Sequence, residues 1–168
     1  MLLPAEVPVC IGLGANLGDP FATLEAALTG LAGAPHTTML ARSAFYRSAP
    51  LDAEGPDFIN AVAWIGTRLS PLTCWRLLQS LEAAHQRERP YRNAPRTLDL
   101  DLLLWGDQTL STPELEVPHP RMHQRAFVLH PLAELSPSMT IPGRGPLQAL
   151  LAGVADQVIE RCGPRLRP

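Results

Sequence analysis

The sequence predicts an α+β fold with a mainly antiparallel sheet and helices packed on it. Two observations carry this. Apolar patterning runs strand, helix, strand, strand, helix, strand before a helical C-terminal part, so helices do not alternate strictly with strands as a parallel sheet requires. The segment 97–105 alternates leucine with aspartate at its start, the period of a strand. At 168 residues the chain has the size of one domain. Such a chain buries roughly 70% of the surface it would expose unfolded. Residues 1–168 are accordingly read as a single domain with 161–168 as a frayed tail.

The first strand is predicted over 7–13, VPVCIGL, a run rich in β-branched residues that ends at Gly14. The turn GANLGDP then leads into an Ala/Leu pattern at 21–32, with Asp19 as N-cap and Pro20 at the first helical position. Residues 38–47 and 57–67 read as the second and third strands, joined by the loop SAPLDAEGPD. Ser70 and Pro71 mark the next helix start, and Leu72, Trp75, Leu78 and Leu81 recur at helical spacing. Gln79 and Glu82, three residues apart, share one flank of that helix. The strand 97–105 follows, SMTIPGRGPL breaks the chain near 138–147, and a last Leu/Ala/Val helix is expected around 147–160.

Composition narrows the chemistry. The chain is 46% hydrophobic and 18% charged with net charge −2, which exerts no overall pull toward nucleic acid or an acidic membrane. All 14 basic residues are arginine. Without lysine there is no Schiff base, no Walker-A phosphate site and no kinase strand lysine, so phosphate falls to arginine, backbone N–H groups or metal. Cys10, Cys74 and Cys162 are odd in number and widely spaced, which argues against a disulfide framework and suits a reducing cytoplasm. The apolar N-terminus carries no positive charge before Arg42, unlike a signal peptide, and no apolar run approaches the ~20 residues of a membrane span.

The candidate chemistry begins with Asp99 and Asp101. Side chains alternate along a strand, so these two carboxylates share the face opposite Leu98, Leu100 and Leu102, about 6.5–7 Å apart at Cα. Oxygen ligands so placed suit Mg²⁺, including a pair of ions bridging phosphates, although a bare D-x-D equally describes a solvated strand face. The preceding HQRERPYRNAPR sets Arg87, Arg89, Arg92 and Arg96 against a single Glu88, with Pro90 and Pro95 forbidding a regular helix. Arginine forks bind phosphate bidentately, so both halves of a nucleotide-phosphate site adjoin in sequence.

Other segments are less specific alone. GLGANLGD at 12–19 lacks dinucleotide-fingerprint spacing and reads as a tight strand-to-helix connection. In VPHPRMHQRAF, His119 and His123 have zinc-compatible spacing only on a helix, which Pro120 disfavours; His119 and Arg125 make better phosphate donors. Phe58 and Asn60 share a strand face and would offer a ring and a carboxamide to a flat heterocycle.

Taken together, RNAPRTLDLDLL (92–103), FYRSAPL (45–51), FIN (58–60) and VPHPRM (117–122) closely resemble the 6-hydroxymethyl-7,8-dihydropterin pyrophosphokinases of folate biosynthesis, in order from Ile11 to Leu132. The resemblance implies a ferredoxin-like core and transfer of the β,γ-diphosphate of ATP to the pterin hydroxymethyl oxygen, with AMP released. It implies two Mg²⁺ on Asp99 and Asp101, and Arg87 and Arg96 as the catalytic cations. Gln79, Glu82, Arg87, Arg89, Arg96, His119 and Arg125 would bind ATP. Ser48, Ala49, Pro50 and Leu51 would border a pterin stacked between Phe58 and Phe127 and hydrogen-bonded to Asn60. The partners implied are ATP and the pterin, with no nucleic acid and no membrane, for a cytoplasmic monomer. No role carries over to Glu114 or Glu116. The loops 12–18, 48–57 and 87–96 are expected to close over substrate. A different D-x-D nucleotide-dependent transferase would account for the acids and arginines but not for Phe58 with Asn60; a non-enzymatic sensing module would account for the fold alone.

Overall fold

The computed structural model describes residues 5–50, 55–85 and 97–163. Its elements are β1 (Val7–Ala15), α1 (Pro20–Ala32), β2 (Thr37–Arg42), β3 (Phe45–Ser48), β4 (Phe58–Thr67), α2 (Pro71–His85) and β5 (Asp99–Trp105), followed by β6 (Leu110–Ser111) and β7 (Glu116–Val117). A 3₁₀ turn (Met122–Gln124) leads into α3 (Ala126–Leu135), then β8 (Thr140–Ile141), β9 (Gly145–Pro146), α4 (Leu147–Ala152) and β10 (Ile159–Cys162). The main sheet runs β10-β3-β4-β1-β5, with β2 also paired to β4, and every pairing in it is antiparallel.

The expected α1 forms as its caps dictate: the Asp19 carboxylate accepts from the Ala22 N–H and Pro20 opens the helix. At α2 the Ser70 hydroxyl accepts from the Thr73 N–H. The single strand expected over 38–47 is instead two. Ser43 interrupts it, its backbone N–H donating to the Val62 carbonyl and its hydroxyl accepting from the Val62 N–H, so one residue closes both sides of the break.

The sheet is buried on both faces. On one, Val9, Ile11 and Leu13 of β1, Ile59 and Ala61 of β4, and Leu98, Leu100 and Leu102 pack against Leu24, Leu28 and Leu31 of α1 and Cys74 and Leu78 of α2. On the other, Cys10, Val62, Leu103 and Leu104 pack beneath Met122, Leu129, Leu132 and Leu147. This second layer covers only part of its face. At ~25 cal/mol per Å² of apolar surface, each such fully buried leucine contributes about 2 kcal/mol.

Two expectations at the C-terminal end are corrected. The helix predicted over 147–160 stops at Ala152, where Gly153 donates back to Leu150 and Val154 to Leu151, and Ile159–Cys162 becomes a strand on β3. Arg161 and Cys162 therefore belong to the sheet and not to a frayed tail; 164–168 lie outside the described residues. The helix α3 is not among the elements expected from sequence, and it carries Pro131, a helix-breaking residue, in its interior. Its apolar face, Val128, Leu129 and Leu132, is buried, and that burial outweighs the missing hydrogen bond.

Candidate active site

The uncovered part of the second sheet face is a trough. Its floor is β1, where Gly12 and Gly14 sit between the chemistry of two neighbouring strands: Gly14 pairs with Asn60 on one side and Asp99 on the other, and Gly12 with Asp101. A Cβ at Gly14 would stand 3.3 Å from Asn60 Oδ1 and 3.9 Å from Phe58 Cδ1, and one at Gly12 would stand 3.2 Å from Leu103 Cδ1. Two side chains are thus missing from the floor, and a cavity of about 350 Å³ remains above it. Ser48, Ala49, Phe58 and Asn60 form one side; Asp99, Asp101, His119, Arg125 and Phe127 form the other. From sequence alone these glycines read as part of a tight strand-to-helix connection. The available signal was glycine at alternate positions of an otherwise apolar strand, which marks a close approach on one face.

Asn60 is 3% exposed and held in one orientation. Its Nδ2 donates to Ser48 Oγ at 2.8 Å and to the Tyr46 carbonyl at 3.3 Å; a carbonyl can only accept, so the amide nitrogen must face β3. The carboxamide oxygen is left over Gly14, facing the cavity. Tyr46 is itself fixed from α3, its hydroxyl donating to Glu134 Oε1 at 2.6 Å. Burial, then that hydrogen bond, push the Tyr46 phenol up to about 12.

On the acidic side, Asp101 Oδ2 lies 3.8 Å from an Arg125 guanidinium nitrogen and Oδ1 lies 3.9 Å from His119 Nε2. These are ion-pair distances, longer than direct hydrogen bonds. A bulge delivers the histidine. Cys10 pairs with Leu104 and Ile11 with Leu102, so Leu103 is the extra residue, and its carbonyl accepts the His119 backbone N–H at 2.9 Å. The His119 Nδ1 accepts from the Arg121 N–H, which leaves Nε2 to carry the proton of the neutral ring toward Asp101. Burial lowers the His119 pKa; Asp101 raises it, and Arg125 and Arg121 lower it further. Arg125 also lies over the Phe127 ring, 5.5 Å from its centroid.

A second cavity of about 330 Å³ wraps the edge of β5 between Trp75 of α2 and the segment Thr112–Glu116. Asp101 and His119 line both cavities, so the carboxylate stands where they meet. Trp75, Thr112, Glu114 and Glu116 had no assigned role from sequence; a tryptophan at helical spacing reads as core until its exposed edge is seen.

Of the residues singled out from sequence, Ser48, Ala49, Phe58, Asn60, Asp99, Asp101, His119, Arg125 and Phe127 come together around the first cavity. Pro50 does not line it. Gln79 and Glu82 line neither cavity; they follow Trp75 along one face of α2, at i+4 and i+7. Arg87, Arg89, Arg92, Arg96 and Leu51 lie outside the described residues, as do the whole of the expected closing loop 87–96 and part of 48–57.

Comparison with known proteins places this arrangement. A profile of the family described as 7,8-dihydro-6-hydroxymethylpterin-pyrophosphokinase (HPPK) matches residues 10–137. The 2-amino-4-hydroxy-6-hydroxymethyldihydropteridine pyrophosphokinase of Pseudomonas aeruginosa is 45% identical over 154 residues, covering 91% of this chain and 95% of that one. The enzyme of the same name from Haemophilus influenzae is 39% identical, covering 92% and 97%. Among solved structures, a Plasmodium falciparum HPPK-DHPS triple mutant with pterin and p-hydrobenzoate superposes with a TM-score of 0.73 at 12% identity over 94% of this chain. An HPPK-DHPS in complex with substrates gives 0.72 at 10% identity over 90%. The chain spans under half the length of these two, 48% and 44%, and at such identity the likeness concerns the fold alone.

Proposed function

The chain belongs to the 7,8-dihydro-6-hydroxymethylpterin-pyrophosphokinase family and catalyses a step of folate biosynthesis, transfer of diphosphate from ATP to the hydroxymethyl group of 6-hydroxymethyl-7,8-dihydropterin with release of AMP; on that premise we propose how its residues divide the work. The observation that carries the division is the trough itself, where a carboxamide and Phe58 face two aspartates and Phe127 across a floor of glycine.

The pterin lies in the first cavity between Phe58 and Phe127, bordered by Ser48 and Ala49; Pro50 and Leu51 are carried over from the family resemblance alone. Asn60 Oδ1 accepts from the amide-like edge of the heterocycle. ATP approaches from the second cavity, its phosphates reaching Asp101, His119 and Arg125, with Gln79 and Glu82 on the nucleotide side. Arg87, Arg89 and Arg96 complete the cationic set by family membership, Arg87 and Arg96 meeting charge as the β-phosphorus is attacked. Phosphoryl transfer is largely positioning and charge neutralisation, which is why these residue types suffice without a covalent nucleophile.

Two Mg²⁺ ions are assigned to Asp99 and Asp101. The donor set fits: both side chains are partly exposed toward the cavity and both offer hard oxygen atoms. Mg²⁺ takes one or two carboxylates and completes its shell with phosphate and water, so two aspartates are enough to hold it. When bound, the ions would neutralise and align the phosphates.

With β2 and β3 counted as one interrupted strand beside β4, the order is βαββαβ and the sheet runs β5-β1-β4-β2/β3, which supports reading the core as ferredoxin-like and 1–168 as one domain. Among the described residues no helix is long and apolar enough to cross a membrane. Three unpaired thiols favour the cytoplasm, where the chain would act as a monomer without nucleic acid or membrane.

The division of roles is tested by Asp101→Ala. Turnover, read as pterin-dependent AMP release, should fall by at least ~100-fold while pterin affinity is retained. Retained turnover would remove the metal assignment.

A further inference from the structure

We infer that Gln157 is a positioning residue that sets the backbone, and through it the guanidinium, of Arg125. Gln157 lies in the link between α4 and β10, beyond residues 10–137 that the family profile matches. Its Oε1 accepts from the Ala126 N–H at 2.9 Å and its Nε2 donates to the Gln124 carbonyl at 2.8 Å. These two peptide groups flank Arg125.

Arg125 is extended, φ −123 and ψ 111. In an extended residue the preceding carbonyl and the following N–H point to the same side, so one carboxamide can dock on both as a neighbouring strand would. The other edge of Arg125 is also occupied: its N–H donates to Met122, and its carbonyl accepts from Val128 and Leu129 as α3 begins. Gln157 is anchored in turn, its backbone N–H donating to Val154, which is 2% exposed. Among the described residues Gln157 alone holds that edge, and with it the direction in which Arg125 leaves the 3₁₀ turn toward Asp101 and the Phe127 ring. Two residues on, the same segment enters β10, where Ile159 pairs with Ser48 on the far wall of the cavity.

The inference rests on the reading of Arg125 as an ATP contact. Gln157→Met keeps the length and apolar stem but supplies neither amide donor nor acceptor. It should raise KM for ATP on the order of tenfold with kcat largely kept. In an Arg125→Ala background, whose own KM for ATP is already raised, it should add nothing, because the two act on one guanidinium. Glu160→Ala, on the same segment but facing Arg47, controls for general loosening and should leave KM for ATP unchanged. If Gln157→Met does not fold, as judged by circular dichroism, Gln157→Glu takes its place; it keeps the acceptor for Ala126 and sets a carboxylate against the Gln124 carbonyl.

An unchanged KM in the Gln157 variant beside a raised KM in Arg125→Ala would overturn the inference. So would additive effects, or a rise in Glu160→Ala equal to that in Gln157→Met. An unchanged KM in Arg125→Ala would instead sink the reading of Arg125 itself.

Discussion

Gly14→Ala should weaken pterin binding at little net change in stability. The new methyl would stand 3.3 Å from Asn60 Oδ1 and 3.9 Å from Phe58 Cδ1, so the amide oxygen must give by a few tenths of an ångström. It cannot do so freely, because Nδ2 of the same group is tied to Ser48 Oγ at 2.8 Å and to the Tyr46 carbonyl at 3.3 Å. Displacing the acceptor from its pterin partner costs about 1–3 kcal/mol, a factor of roughly 5–150 in the pterin dissociation constant. In the free protein the strain on Asn60 is offset by a backbone gain. Gly14 has no positive φ, so alanine fits its backbone and gains about 0.4–1 kcal/mol from the reduced freedom of the unfolded chain. Calorimetric titration with the pterin alcohol and thermal unfolding of the same preparation check both halves. An unchanged pterin affinity with an equal or raised Tm would refute the assignment of the β1 glycines as the floor of the substrate site.

Ser48→Ala removes the shorter of the two bonds that orient Asn60; a stability loss of about 1–2 kcal/mol with a several-fold rise in pterin KM is expected from denaturant titration and initial rates. Tyr46 is neutral in the fold up to about 12, above the value of 10.0 for the free side chain. The stability it contributes is thus fully present below pH 10 and is lost as the pH rises from 10 through about 12, so Tyr46→Phe should flatten the alkaline limb of a stability-versus-pH curve. An identical limb in that variant would count against the assignment. Asp19→Ala removes the α1 cap and should cost about 1 kcal/mol in chemical denaturation without altering KM for either substrate.

Much of this architecture is readable from local chemistry. Asp19 with Pro20 announces α1, the Leu/Asp alternation announces β5 and its two faces, and Phe58 with Asn60 stand on one side of β4 as their spacing requires. What escapes the sequence depends on neighbours distant along the chain. Gly12 and Gly14 acquire meaning only from the registers that set Asn60 and the aspartates beside them. The Leu103 bulge, which hands its carbonyl to His119, leaves no trace in an apolar run. Pro131 conceals α3, because a local penalty is visible in sequence and the tertiary burial that outweighs it is not. The same holds for β10, a short strand whose partner β3 lies more than a hundred residues earlier.

Burial of the sheet by a full layer on one side and a partial layer on the other has a consequence for how this protein tolerates change. Within a single strand, odd and even positions answer to different selective demands. Ile11, Leu98, Leu100 and Ile59 belong to the continuous core, whereas Gly12, Gly14, Asp99, Asp101, Phe58 and Asn60 line the trough. A saturation library across these strands, scored separately for abundance and for growth without supplied folate, should split into two interleaved combs: one comb set by folding, the other by catalysis. Substrate preference could then be altered at every second residue while the scaffold that holds it is left untouched.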